Sequence, residues 1–294
     1  MSLRDQKMSR TSKRVNCREI VVADLERIVD LMTDAYRVRS RDLWARRIRR
    51  LEQHVSPEGY PRFGFVLECE EALVGIIFTT FSSILVDGQV KSRCYFSYWY
   101  VAPEFRTYAS LLAARALQFK TVTYRIGTPI EHVRPIFQAQ GHTLCCRGRF
   151  IAAPLLSRRT ESARIDSVGA NLDEGVEDWE RELLLRHAGF GCFSLISRSA
   201  TGVYPFVFHP RVKAGVIRFA RLVYCRDRSD FVRLSAPLGR YLAARGYLLV
   251  VLDADGPIPG LIGSYSDKFP KYYKGPDMPR LCETAYSTKI IFDE

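Results

Sequence analysis

The residue types best suited to chemistry in this 294-residue chain are concentrated between Arg93 and Gln118, RCYFSYWYVAPEFRTYASLLAARALQ. Tyr95, Phe96, Tyr98, Trp99, Tyr100 and Val101 form an aromatic and β-branched run, which fits a mostly buried strand. Pro103 ends it, because proline cannot donate to a ladder. Leu111, Leu112, Arg115, Ala116 and Phe119 then recur at helical spacing, so a helix starts where the strand stops. The first N–H groups of that helix lack intrahelical partners and lie at the positive end of its dipole, a setting that suits phosphate. Arg106 adds a fixed charge at the turn, and Thr107 and Ser110 add hydroxyls.

Other chemistries lack their residues. There is no Gly-Lys-Ser phosphate loop and no Ser/His/Asp order, and none of the eight cysteines is spaced as C-x-x-C. Cys145 and Cys146 are adjacent and would face opposite ways in a strand, so no metal is expected and the thiols are read as free and buried. Asp253-Ala254-Asp255-Gly256 lacks the further acids of a calcium loop and reads as a turn. The net charge of +12 is carried largely by arginines between Arg10 and Arg50. It reads as a solvated surface whose field would gather a polyanion, without making nucleic acid the expected partner. No apolar run reaches the ~20 residues of a membrane span. Residues 1–16 are polar and basic, a tail rather than a signal peptide, so a cytoplasmic location is expected.

These residues need a scaffold, and the apolar periodicity supplies one. Cys17 to Val22 reads as a strand, followed by Asp24 as a helix N-cap and by Leu25, Ile28, Leu31, Met32 and Ala35 at helical spacing. A second helix spans about Arg41 to His54 on a stripe of Trp44, Ile48, Leu51 and Val55. Arg46, Arg47, Arg49 and Arg50 flank that stripe as a solvated face. Strands follow at Phe63–Glu68, Ala72–Leu85 and Val90–Val101, the last two joined at Asp87-Gly88. Beyond the central helix come a strand at Thr121–Ile126, a short helix at Pro129–Gln140 and a strand at His142–Ala152.

Polar residues from Pro154 onward mark a linker, after which the pattern repeats. A helix spans Glu174–Ala188, and strands follow at Gly191–Arg198, Gly202–His209 and Val216–Cys225. A helix ending at Gly246, a buried strand at Tyr247–Leu252 and a final strand at Glu283–Phe292 complete it. Lys268 to Pro276 interleaves lysines, aromatics and prolines and reads as an exposed loop. In the second strand–turn–helix, Asp227 and Asp230 stand where Arg106 and its neighbours stand in the first, so that turn caps itself and repels phosphate.

Trp99-Tyr100-Val101-Ala102-Pro103-Glu104-Phe105-Arg106 resembles the acetyl-CoA-binding motif of the GNAT acyltransferase superfamily. The order β-α-α-β-β-β-α-β-α-β over residues 17 to 153 resembles that family's order, and Phe137-Gln138-Ala139-Gln140-Gly141-His142 fits its late helix-to-strand step. The two glycine positions of the family's pyrophosphate loop hold Ala109 and Leu111 here.

The resemblance implies an α/β chain of two tandem GNAT-like domains, each a mixed, mostly antiparallel sheet flanked by helices. Its parts would be a tail (1–16), a cofactor-binding domain (17–153), a linker (154–173) and a degenerate second domain (174–294). It implies acyl transfer from acetyl-CoA or another acyl-CoA to a small-molecule or peptide amine, without metal or membrane. Tyr100, Val101, Arg106, Thr107, Tyr108, Ala109 and Ser110 would hold the cofactor. Tyr100 or Val101 would polarise the thioester through its N–H, and Tyr124, His132 and Tyr108 are the acid–base candidates. The competing reading is a catalytically silent scaffold whose basic surface takes an anionic ligand or nucleic acid.

Overall fold

The computed structural model describes residues 14–86, 88–127, 134–157, 161–169, 175–213 and 215–293. In chain order the first half holds β1 (Val15–Glu19), α1 (Leu25–Ala35), α2 (Arg41–Glu52), β2 (Gly64–Cys69), β3 (Ala72–Val86), β4 (Gln89–Val101), α3 (Ala109–Ala116), β5 (Thr123–Ile126), α4 (Arg134–Ala139) and β6 (Thr143–Cys146). Then come β7 (Gly148–Ala152), β8 (Ala163–Ser167), α5 (Asp178–Gly189), β9 (Phe193–Ser199), β10 (Gly202–Lys213) and β11 (Ile217–Cys225). The chain closes with α6 (Arg228–Arg233), α7 (Ser235–Ala243), β12 (Leu249–Ala254), β13 (Gly263–Ser266), β14 (Lys271–Lys274) and α8 (Thr288–Ile291).

Two seven-stranded sheets result, ordered β1-β2-β3-β4-β5-β14-β6 and β8-β9-β10-β11-β12-β7-β13. The orders are equivalent position by position. In each sheet one pair is parallel, β4 with β5 and β11 with β12, and the rest are antiparallel. The α/β class and the mixed sheets follow the expectation from sequence.

The halves exchange strands. The His142–Ala152 segment, read as one strand, breaks at Arg147: Cys146 pairs with Lys271 in the first sheet, and Gly148 pairs with Ala254 in the second. Gly148 permits the crossing, since a Cβ there would lie 2.1 Å from the Ser266 carbonyl oxygen. Conversely, the stretch read as a lysine-rich loop contributes β14, which fills the slot between β5 and β6. The division at 153 therefore does not follow the sheets. The expected linker also carries β8, the edge of the second sheet. The final strand expected at Glu283–Phe292 is a single bridge, Tyr224 to Glu283, followed by α8.

A shared core binds the halves. Ile28, Met32, Trp44 and Phe78 belong to the same buried cluster as Leu184, Val207, Val223 and Phe292. The arginine face of α2 is not simply solvated. Arg47 Nε donates to Phe292 O (3.1 Å), and Arg50 donates to Ile291 O (3.1 Å) and Ile290 O (2.8 Å). Cationic side chains thus satisfy the carbonyls of α8, at the negative end of its dipole.

Two buried histidines sit on this seam, each within ring contact of Tyr286. His187 Nδ1 donates to Leu183 O (2.7 Å) while Nε2 accepts the Tyr286 N–H (3.3 Å), which fixes a neutral ring. His54 Nε2 donates to Phe81 O (2.7 Å). Burial pulls both down to about 4. The unfolded chain protonates near pH 6.5 and the folded one does not, so their full contribution is present above that pH and is lost as pH falls toward 4. Denaturant titrations should therefore give a lower unfolding free energy at pH 5 than at pH 7.5, by roughly 1–2 kcal/mol per histidine. His187→Asn should start less stable but show a shallower pH dependence. An unchanged slope would mean that His187 titrates normally in the fold.

Candidate active site at the strand splay

The parallel pair β4–β5 is short: Arg93, Cys94 and Tyr95 align with Thr123, Tyr124 and Arg125. β5 ends at Ile126 while β4 runs on to Val101, so beyond Tyr95 the β5-facing edge of β4 has no strand beside it among the described residues. A bulge sharpens the divergence. The β3–β4 register slips between Ile76↔Tyr100 and Phe78↔Ser97, leaving an extra residue on β4. Tyr98 takes φ 45°, a left-handed conformation that strains a bulky side chain by of order 1–3 kcal/mol.

A cavity of about 250 Å³ opens at this splay, where the halves meet. Ser97 and Tyr98 come from β4, Arg125 from β5, Arg221 from β11, Lys271 from β14 and Lys289 from α8. Its floor is rigid. Arg93 Nε bonds Glu283 Oε1 at 2.6 Å with both side chains buried, and Tyr95 Oη donates to the Glu283 carbonyl at 2.8 Å. Arg125 also donates to that carbonyl and lies over the Tyr95 ring, 5.5 Å from its centroid. On the second-half side, Asp253 binds Arg221 (2.9 Å) and Lys271. Despite its burial, that carboxyl is held below the usual range by these two cations and by Arg125. Of the motif read as a turn, Asp255 and Gly256 do bend the chain, while Asp253 ends β12 inside a buried ion cluster.

The expected cofactor residues divide between two settings. Tyr100 and Val101 end β4, still paired to Ile76 and Gly75. Arg106, Thr107 and Tyr108 lie on a 3-10 turn over Pro103–Tyr108, and Ala109 and Ser110 open α3. This turn is exposed, and Arg106 has no ion-pair partner among the described residues. Leu111, at a position expected to be glycine, is 42% exposed.

The catalytic candidates fare differently. Tyr124 is buried in a cluster with Phe81, Cys94 and Val122. Its hydroxyl donates to the Phe119 carbonyl (3.2 Å) and accepts the Phe119 N–H (3.0 Å), and burial raises its pKa. It does not line the cavity. Tyr108 sits at the end of the exposed turn, and His132 lies outside the described residues.

Sequence reasoning passed over Tyr98, which lines the cavity. Its hydroxyl accepts hydrogen bonds from Arg39 Nη1 (2.7 Å) and Arg47 Nη1 (2.5 Å). In sequence it is one aromatic among several, and only the bulge distinguishes it.

The second half repeats the plan but closes it. β11 and β12 run parallel over Phe219–Arg221 and Leu249–Val251. Beyond that, the C-terminal segment lies along β11: Tyr224 bridges Glu283, and the Thr284 N–H donates to Val223 O (3.0 Å). The helix turn caps itself through Asp227, which accepts the Ser229 N–H at 2.6 Å, while Asp230 binds Arg233 at 2.9 Å. Among the described residues no cluster of His, Cys, Asp and Glu could hold a metal. No helix among them is long and apolar enough to cross a membrane.

No protein-family profile matches the sequence, and no curated protein matches it. Solved structures do match. A GCN5-related N-acetyltransferase from Anabaena variabilis superposes with a TM-score of 0.57 at 10% identity, over 88% of this chain and 72% of that one. A GCN5-related N-acetyltransferase from Kribbella flavida gives a TM-score of 0.52 at 13% identity, over 89% of this chain and 71% of that one. With the splayed parallel pair, the bulge and the strand order already in hand, the chain carries the fold of the GCN5-related N-acetyltransferases, its sheet formed twice.

Proposed function

We propose that this protein is an acyl-CoA-dependent acyltransferase that passes an acyl group to an amine by direct attack on the thioester, using the first half only. The observation that carries the reading is the edge of β4 beyond Tyr95. Among the described residues no strand lies beside it, it opens on the cavity, and it leads straight into the Arg106 turn. An extended arm bearing amide groups, such as the pantetheine of coenzyme A, satisfies such an edge as an added strand would. At the strand's end the diphosphate would meet Arg106, the hydroxyls of Thr107 and Ser110, and the N-terminus of α3.

In this arrangement the thioester carbonyl would lie against the strained backbone of β4, where an N–H polarises it as charge develops. Tyr98 replaces Tyr124 as the proposed acid. It lines the cavity, and its hydroxyl is held in place by two guanidiniums that donate to it, where it could pass its proton to a departing thiolate. Tyr108, on the turn, remains a candidate for the same task. The acceptor is an amine of small molecule or peptide, entering from the seam. The closed strand edge and self-capped turn of the second half support a structural role for it.

Calorimetric titration with acetyl-CoA should give saturable binding at a stoichiometry near one per chain. Arg106→Ala, at an exposed position, should weaken binding by about 1–3 kcal/mol without changing stability. Absence of binding at millimolar ligand would favour the silent scaffold instead. Tyr98→Phe should lower the transfer rate by about a hundredfold while leaving coenzyme A affinity nearly unchanged. An unaffected rate would remove Tyr98 from the mechanism.

A further inference from the structure

The cavity at the splay is more cationic than acyl transfer to a neutral amine requires. Arg125, Arg221, Lys271 and Lys289 line it, and no carboxylate does among the described residues. Asp253, behind Arg221 and Lys271, is the carboxylate in direct contact with this group. Glu283 does not add to the balance, since its carboxylate is taken by buried Arg93. Lys289 has no ion-pair partner among the described residues. Burial, then the charges of Arg221 and Lys271, pull its ammonium down to about 7, against the opposing pull of Asp253, and Arg149 on β7 adds to the depression. Lys271, although bonded to Asp253, is pulled down to about 8 by burial and by Arg221 and Arg125. Like charges gathered out of water raise each other's energy, and an anion placed among them lowers it.

A second observation is independent of charge. Ser97 lines the cavity from the bulged strand, is only 6% exposed, and its Oγ has no hydrogen-bond partner. A buried hydroxyl without a partner costs of order 1–3 kcal/mol, so its presence at a cavity wall points to a group that completes it. The hydroxyl-bearing residues Thr284 and Ser287 line the same cavity.

We propose that this cavity recognises a carboxylate or phosphate carried by one of the two substrates, with Lys289 and Arg221 as its charge partners and Ser97 as a hydrogen-bond partner. The inference rests on the acyltransferase reading for the identity of the substrates, and on the cavity alone for the anion. The anion comes from one of two sources. It is the far end of a dicarboxylic acyl group on the donor, or an acidic group on the amine acceptor.

The test uses the full chain and Lys289→Met, at a partly buried position whose ammonium is not bonded to the Asp253 cluster. Titrations compare coenzyme A, butyryl-CoA and succinyl-CoA. Transfer assays from acetyl-CoA compare aspartate with asparagine as acceptor. The expected result is about a tenfold preference for the anionic member of one pair, falling to roughly twofold or less in Lys289→Met, while affinity for coenzyme A itself is unchanged. A preference for succinyl-CoA assigns the anion to the donor, and a preference for aspartate assigns it to the acceptor. Binding of coenzyme A with no preference in either pair overturns this inference and leaves the acyltransferase reading standing. Failure of coenzyme A to bind overturns that reading instead. The cavity is then tested with free succinate, which should raise the melting temperature of the wild type and not of Lys289→Met, and an absence of any shift overturns the inference.

Discussion

Neither sheet of this protein can be completed by its own half of the chain. The slot between β5 and β6 is filled by β14, more than a hundred residues later, and the equivalent slot between β12 and β13 is filled by β7. An empty slot would leave two rows of backbone donors and acceptors unpaired inside the protein, which folded chains rarely tolerate. The exchange therefore makes each half a condition of the other's hydrogen bonding. The common core around Phe78, Leu184 and Phe292 does the same for apolar burial. Arg47 and Arg50 extend the dependence to the chain's last helix, whose carbonyls they satisfy from the first half.

The two copies of one plan are not alike at the splay. What separates them is the strand edge left open by the parallel pair. In the first half nothing described runs along β4 beyond Tyr95, and the adjoining turn offers Arg106 and two hydroxyls. In the second, the chain's own segment at Glu283 and Thr284 takes the edge of β11, and Asp227 takes the helix N–H that an anion would otherwise claim. The same segment floors the first half's cavity, because Glu283 anchors Arg93, Tyr95 and Arg125. Closing one splay thus shapes the other, and the asymmetry is a single structural fact seen from two sides.

Much of this was legible in the sequence where local rules apply. The apolar alternation and helical spacing gave the element order, and Pro103 and Arg106 marked the strand end. Asp227 beside Ser229 announced a cap whose geometry the fold bears out. What escaped is non-local. Lys271-Tyr272-Tyr273-Lys274 reads as a polar loop because its lysines look solvated. In the fold Lys271 is buried against Asp253, and Lys274 donates to the Gln140 carbonyl. His142–Ala152 has the composition of one strand, and nothing in it says that Arg147 separates two sheets. Arg47 reads as solvated because the carbonyl it meets lies 245 residues away. Tyr98 could not be picked out, because a bulge is a property of a register between strands and not of a residue type.

The exchange also explains why charge collects at the seam. A strand that crosses into the other half's sheet brings side chains to the junction of two splays, and there β5, β11, β12 and β14 contribute Arg125, Arg221, Asp253 and Lys271. Such a cluster is poor material for stability, since apolar residues of similar volume would cost less to bury. A chain that needed only to join its halves already has the aromatic and aliphatic core to do so. Keeping four cations around a cavity, one of them without a partner and beside a buried hydroxyl without one, breaks the rule that interior polar groups are satisfied. Departures of this kind persist where a ligand completes the arrangement, and here they adjoin the strained backbone of Tyr98.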